Sequence, residues 1–432
     1  MHQHRRSQAE QPHRRVDPLP QRGVSSDLPQ QGWPRPGPRN ASRQRPTRAG
    51  RERIAELHPV PAGRPARTRP RTEAGRVKPL RIAVIGGGHL GRIHARLLAD
   101  TPGVQLVAVA DPVLRSREEA AAAARTEPVA DYRELFDRID AAVIATPTAT
   151  HRDVALDCIE RGIHVLVEKP IASTTLEGEE LVATARRRGV VLQVGHVERF
   201  NPAWKPLAGE IGRPRFIESL RCGPYTFRST DVSVVLDLMV HDVDLVLSLV
   251  SSPVERIDAI GHAVIGPHED LANARLQFAD GTVANLSASR VSYEAERWMR
   301  VFSTAGFASI DFNKRTSTLV NVSPRLSEPG FDAAALPPEA KNLFKERLFA
   351  DVLPMRRLPT VDGNAIAEEL LDFAASIREG RDPRVTGEQG LAALAVCETI
   401  NDQIARQNAR EAAVRTLAHP AIIPPAERRA AG

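Results

Sequence analysis

Cysteine, aromatic residues and long uncharged apolar runs are all scarce in this 432-residue chain, and each shortage narrows what the protein can be. The three cysteines, Cys158, Cys222 and Cys397, stand far apart, with no C-x-x-C spacing and no histidine cluster beside them. That argues against a disulfide framework and a structural zinc site, and a cytoplasmic setting is expected. The most apolar stretch, Val232 to Val250, is interrupted by Asp237, His241, Asp242 and Asp244. A bilayer does not accept that density of charge in a plain anchor, so no membrane association is expected. No apolar signal-peptide core precedes it. Aromatic residues make up 4% of the chain and hydrophobic ones 42%, which points to aliphatic cores in two or three soluble domains.

Acidic residues are sparse only at the start. Residues 1–80 hold 18 of the 59 Lys and Arg but 6 of the 53 Asp and Glu, which makes that segment +12 and leaves −6 of the total of +6 for the remainder. The body is therefore mildly acidic, and no nucleic-acid groove is expected across it. Residues 1–79 are rich in Arg, Pro and Gln without apolar periodicity, and they cannot bury enough surface to offset chain entropy; disorder is expected. A basic tail or a targeting peptide are functional readings of this segment, although its prolines oppose an amphipathic helix. A misplaced start near Val60 or Val77 is the plainer alternative, because Met1, Met239, Met299 and Met355 are the only methionines. Residues 416–432, with Pro420, Pro424 and Pro425, are expected to fray.

What is present is a short apolar strand, Ile82 to Ile85, running into Gly86-x-Gly88-x-x-Gly91. Gly86 lets the chain turn off the strand, Gly88 lets a pyrophosphate approach, and Gly91 lets the next helix pack on the sheet. His89 and Leu90 open that helix, where unpaired N–H groups bind phosphate. Asp111 lies 20 residues past Gly91 at the end of the next strand, Val104 to Ala110. A carboxylate there accepts from both adenosine ribose hydroxyls and repels a 2′-phosphate, so NAD is expected rather than NADP. Helices at Arg115–Ala124, 151–161 and Leu176–Arg188 alternate with strands at Ala141–Ala145, Val165–Val167 and Val190–Val194. This is the grammar of an α/β Rossmann domain with a doubly wound parallel sheet over residues 80–198. Thr146, Pro147 and His151 follow one strand and Glu168-Lys169-Pro170 another, at the carboxyl edge where the cofactor would lie.

After residue 200 the pattern changes. Helical stretches at Pro202–Ile211 and Val232–Val250 flank a strand at Phe216–Arg221. Successive strands then run at Val254–Ile265, Ala272–Phe278, Val283–Arg290, Met299–Ser303 and Ala308–Phe312, with an Asp280-Gly281 hairpin turn. Helices return at Ala365–Glu379 and Gly387–Arg406. Residues 199–415 are thus expected to form an α+β domain with a mainly antiparallel sheet. Within it Asp237 and His241 are spaced i,i+4 and share a helix face. With Lys169 they suit alcohol oxidation: one base takes the hydroxyl proton while the carbon gives hydride to NAD, and the carboxylate orients the imidazole. A loop charge at Lys169 and a structural Asp–His hydrogen bond are the ordinary alternatives. Asp242 and Asp244 point to other faces and no second histidine is in range, so no metal is expected.

The glycine turn, Ala145-Thr146-Pro147-x-x-x-His151, Glu168-Lys169-Pro170 and Asp237-x-x-x-His241, in this order, resemble the motifs of the Gfo/Idh/MocA oxidoreductases over roughly residues 80–415. The resemblance implies a Rossmann domain joined to a domain with a large open sheet that mediates homo-oligomers. It also implies a nicotinamide cofactor, a sugar or cyclitol substrate, and Lys169, Asp237 and His241 in the catalytic places. Gly195-His196-Val197-Glu198-Arg199-Phe200-Asn201-Pro202, Arg221-Cys222-Gly223-Pro224, the run from Asp231 to Met239 and Ala288-Ser289-Arg290-Val291-Ser292 are similar to the branch that oxidises UDP-N-acetylglucosamine at C3. That branch feeds amino-sugar or lipid A precursor synthesis, upstream of a sugar aminotransferase. A pyrophosphate-linked substrate would account for Arg199, Arg221 and Arg290, with Asn201 beside them, since guanidinium pairs bidentately with phosphate. Dehydrogenation of a free sugar or inositol, NAD-dependent glycoside cleavage and non-catalytic dinucleotide binding are the alternatives within the same family.

Overall fold

Parallel strands buried on both faces need near-continuous apolar sequence, and Leu80–Ile85 (β1) and Ala141–Ile144 (β4) supply it: Ile82 to Ile85 and all of β4 are buried. The computed structural model describes residues 78–207, 209–227, 232–328, 331–360 and 362–418. The expected tail, 1–79, lies outside the described residues except for 78–79, and so does the expected frayed end, 416–432, except for 416–418, where the last helix continues instead of fraying. β1 and β4 are the centre of a six-stranded, all-parallel sheet. Val104–Ala110 (β2) and Glu127–Val129 (β3) extend it on one side, and His164–Glu168 (β5) and Leu192–Gly195 (β6) on the other, giving the order β3-β2-β1-β4-β5-β6. Strand order reverses between β1 and β4, so the loops leaving their carboxyl ends part there and open a ligand crevice.

Four helices from between its own strands cover this sheet: His89–Ala99 (α1), Leu114–Ala124 (α2), His151–Ile159 (α3) and Thr175–Arg188 (α4). α4 is bounded as its sequence suggests. Thr174 caps the start by accepting from the Glu177 N–H, and Gly189 ends it in a left-handed conformation.

The second sheet has eight strands: Pro214–Cys222 (β7), Val254–His262 (β8), Leu271–Phe278 (β9), Val283–Ser289 (β10), Glu296–Ser303 (β11), Gly306–Asp311 (β12), Thr316–Asn321 (β13) and Met355–Leu358 (β14). Their order is β14-β13-β12-β11-β7-β10-β9-β8; every pair is antiparallel except β7 with β10. The β9–β10 hairpin turns at Asp280-Gly281 as expected, with Gly281 at φ +82° and Asp280 accepting from the Thr282 N–H. One face is apolar and covered by Val240–Leu249 (α5) and Gly387–Ala418 (α8). The other face is uncovered among the described residues and carries Phe302 stacked on Phe307 and tilted against Phe216.

One local expectation fails, and three elements carry no signal in the sequence. The helix read at Pro202–Ile211 is only a 3-10 turn at Lys205–Leu207, because Pro206 removes a donor and Gly209 favours a turn. The polar segments that become β13 and β14 carried no strand signal, and Pro338–Glu346 (α6) buries none of its residues. The domain boundary is also one of chain order more than of packing. Ala365–Glu379 (α7) puts Leu370, Phe373 and Ala374 into the core beside β1, and α8 contributes to the cores of both sheets.

Candidate active site

The glycine turn divides its labour as the sequence suggests. Gly86 has φ +105°, and a Cβ there would stand 2.5 Å from the Ala145 carbonyl oxygen. A Cβ on Gly91 would stand 1.8 Å from the Gly86 carbonyl oxygen, so only glycine lets α1 lie this close to β1. On Gly88 the same atom would meet nothing within 4 Å. Gly88, His89 and Leu90 are exposed, and α1 begins without a side-chain cap and without an acid in its first turn. Free amides and open space therefore meet where a pyrophosphate would bind. Asp111 accepts from the Gly87 N–H at 2.7 Å and from the Val113 N–H at 2.8 Å, one bond on each oxygen. Each oxygen keeps a second lone pair for a ribose hydroxyl. These residues fit a dinucleotide.

Across the crevice, two expected cofactor residues prove to be scaffold. His151 is buried, with Nδ1 facing the Pro170 carbonyl at 2.8 Å and Nε2 facing the Thr146 carbonyl at 2.9 Å. The ring lies between the Thr146-Pro147 loop and the Pro170 turn, where the neutral form donates to one carbonyl and only the charged form to both, and neither nitrogen is turned to a ligand. Burial pushes this imidazole below its ordinary value, against the two carbonyls. Thr146 is buried and accepts from the Thr150 hydroxyl at 2.9 Å, while Pro147 is exposed at the loop's tip. Glu168 is likewise buried, bonded to His94 Nε2 at 2.7 Å and to the Lys169 N–H at 3.2 Å. Burial would raise its carboxyl, but the His94 hydrogen bond and charge, with Lys169, hold it below the usual range.

Lys169 extends from the end of β5 to the second domain. Its Nζ donates to the Asp237 carbonyl at 2.6 Å and lies 3.6 Å from Asp237 Oδ1, with both side chains mostly buried. Asp237 sits in a π-helical turn, Val235–Met239, which leads into α5. Such turns widen the helix and recur at functional sites. His241 is in the first turn of α5, half-buried. Burial, reinforced by the ammonium of Lys169 and the guanidinium of Arg221, pushes it well below the ordinary imidazole value, so it is neutral near pH 7. One expectation is corrected: Asp237 does not orient this ring through Nδ1. Its carboxylate faces Lys169, and His241 Nδ1 has no hydrogen-bond partner among the described residues.

The arginines expected to meet substrate phosphates face inward instead. Arg199 pairs bidentately with Asp244 at 2.6 and 2.9 Å. Arg221 binds Asp242 at 3.0 and 3.1 Å and Glu198 at 2.8 Å, with its side chain 3% exposed. Arg290 binds Asp270 at 2.7 Å and the Val232 carbonyl at 3.0 Å. Asn201 is used locally, accepting from the Ala203 N–H and donating to Glu198. Buried guanidinium is stable only when paired, and here the partners belong to the chain. Other polar groups behind the site went unnoticed in the sequence. His94 lies on the sheet face of α1, Gln193 and His196 lie in and just after β6, and Glu369 lies on α7, all fully or almost fully buried. His196 belongs to the Gly195-to-Pro202 motif, but nothing there marks it as buried; Glu369, within Glu-Glu-Leu-Leu, reads as a surface acid.

A parallel sheet with an uncapped glycine turn, joined to a second domain that brings Asp237 and His241 to a lysine at the cofactor edge, defines a dinucleotide-dependent oxidoreductase. Residues 80–196 match the family model described as "Oxidoreductase family, NAD-binding Rossmann fold", and residues 207–309 match the GFO/IDH/MocA C-terminal domain. The chain belongs to the Gfo/Idh/MocA oxidoreductase family and is an NAD-dependent dehydrogenase acting on CH–OH groups. UDP-N-acetylglucosamine 3-dehydrogenase of Acidithiobacillus ferrooxidans is 41% identical over 239 residues, 55% of this chain and 75% of that protein. Its solved structure aligns with a TM-score of 0.66 at 33% identity, covering 75% of this chain and 97% of that one. The scyllo-inositol 2-dehydrogenase (NAD(+)) of Bacillus subtilis is 29% identical over 327 residues, 71% of this chain and 89% of the relative.

Proposed function

We propose that this dehydrogenase oxidises a secondary hydroxyl of a nucleotide-activated sugar, C3 of UDP-N-acetylglucosamine, to the keto sugar. The observation that carries the chemistry is Lys169, at the carboxyl end of β5 in the dinucleotide-binding sheet, bound to Asp237 and lending its charge to His241. The similarity to UDP-N-acetylglucosamine 3-dehydrogenase supports the substrate. Gly86, Gly88, His89, Leu90, Gly91 and Asp111 hold the dinucleotide, with Thr146 and Pro147 on the facing loop. NAD, when bound, accepts the hydride of the carbinol carbon. His241, neutral near pH 7, takes the hydroxyl proton, and Lys169, fixed by Asp237, donates a charge-assisted hydrogen bond to the oxygen as negative charge grows on it. The resulting ketone is the kind of group that a transamination consumes. The face of the second sheet left uncovered among the described residues, with its phenylalanine cluster, supports pairing with a second copy of the chain.

One observation favours a free cyclitol or hexose instead: Arg199, Arg221 and Arg290 are committed to Asp244, Asp242 and Asp270. NADH formation from NAD with UDP-N-acetylglucosamine, set against scyllo- and myo-inositol, separates the two readings. Release of phenol from an aryl glycoside without net NADH would mark a glycosidase. Turnover with none of these would mark neither, and wild-type turnover in both Lys169→Ala and His241→Ala would remove the site assignment.

A further inference from the structure

If His241 takes the proton at Nε2, its Nδ1 must carry a proton and donate it, because a neutral imidazole has one N–H. Asp237 was expected to accept that bond but faces Lys169. The buried Nδ1 has no hydrogen-bond partner among the described residues, and the same holds for both ring nitrogens of His196, whose residue is 1% exposed. A buried polar atom left unpaired costs about 1–3 kcal/mol, so each of these two rings calls for a partner.

Ion pairs fasten together the two segments that carry these rings, and His241 feels the charge of His196. His196 stands three residues before Arg199, and His241 three before Asp244, and Arg199 and Asp244 are bound at 2.6 and 2.9 Å. Arg221 fastens the same two segments a second time, through Glu198 at 2.8 Å and Asp242 at 3.0 Å. His241 faces the cations Lys169, Arg221 and Arg297 as well as His196; His196 faces the anions Asp244 and Glu168 and the cations Arg199 and Lys169. Burial keeps both rings neutral near pH 7.

We propose that His196 positions His241, accepting the Nδ1–H of His241 through one bridging water and so turning its Nε2 lone pair to the substrate hydroxyl. A bridging water suits the site because the ring nitrogens have no direct hydrogen-bond partner and are polar enough to order one. In the reaction the substrate O–H bond breaks and the Nε2–H bond forms, the hydride leaving to NAD. The resulting imidazolium then has two donors; the bridging water accepts from Nδ1–H and donates in turn to His196. This inference rests on the reading of His241 as the base.

The test uses the NAD-loaded enzyme with the substrate that gives turnover. His196→Phe keeps the volume and removes both nitrogens. A drop in kcat of about tenfold or more is expected, part of the 10²–10⁴-fold of a general base, with KM and NAD affinity within about twofold of wild type. The acid limb of the pH profile should shift as well. His196→Gln should recover part of kcat. In a His241→Asn background His196→Phe should cost less than about twofold. In histidine-labelled enzyme, nitrogen shifts should show His241 as the Nδ1–H tautomer in wild type and His196→Gln but not in His196→Phe. Unchanged kcat, or equal losses with and without His241 and an unchanged tautomer, would overturn the positioning role. The tautomer in His196→Gln decides the matter if His196→Phe does not fold. Wild-type turnover in His241→Asn would instead overturn the base assignment, leaving the tautomer result to stand by itself.

Discussion

Arg221→Met distinguishes a guanidinium that holds the fold from one that holds a substrate. Arg221 makes three charge-assisted hydrogen bonds, at 2.8, 3.0 and 3.1 Å, with its side chain and that of Asp242 almost wholly buried. Each such bond is worth about 1.5–3 kcal/mol, a gross ~4.5–9 kcal/mol. Part returns as Glu198 and Asp242 protonate or admit water, and removal of one partner of a buried pair costs about 3–5 kcal/mol net. In wild type, burial is outweighed at Glu198 by Arg221, which holds it below its usual value, whereas burial raises Asp242 in spite of Arg221. Without Arg221, Glu198 rises above its unfolded value and Asp242 climbs further above its own. The folded variant then binds more protons, its stability is present at low pH, and the deficit grows with pH by up to about 1.4 kcal/mol per unit for each acid. Urea unfolding at pH 5 and pH 8 measures this. A deficit larger at pH 8, mostly recovered when Glu198→Gln and Asp242→Asn are added, is the expected result. Stability within about 0.5 kcal/mol of wild type with a tenfold or larger rise in KM for a UDP-sugar would refute the structural role and return Arg221 to the phosphates.

Three further outcomes follow from the site. Asp111→Ala should raise the KM for NAD about 10–100-fold by removing charge-assisted bonds and should narrow the preference over NADP, as read by initial rates with each cofactor. His241→Asn should lower kcat by about 10²–10⁴-fold, and the wild-type acid limb should fall below pH ~6.5, because burial and Lys169 favour the neutral ring; a limb above that value would contradict the electrostatics. Burial also depresses His151 and His196, so between pH ~6.5 and their folded values the unfolded chain binds more protons. Stability should therefore fall as pH falls, by up to about 1.4 kcal/mol per unit for each ring. Glu369, raised by burial and by Glu168, works the other way above its unfolded value; Glu369→Gln should steepen the acid loss, and calorimetry from pH 8 to 5 checks both.

The cofactor half of the site was legible because its chemistry is local. Gly86, Gly88 and Gly91 act through their own backbone within one turn, and Asp111 follows at the end of the very next strand, so spacing along the chain carries the geometry. Alternation of apolar strands with amphipathic helices, and then strands in succession, was likewise enough to separate the two sheets. Strand pairing was not: nothing in the residues of β7 and β10 announces that they lie parallel, and Thr316–Asn321 is too polar to reveal an interior strand. Sequence alone determined that this chain builds a dinucleotide site, because that site is made by consecutive residues. Tertiary structure decided who faces whom behind it. Partners such as Lys169 and Asp237, or Arg221 and Asp242, are chosen by burial, since a charge taken from water must find an opposite charge wherever the fold brings one.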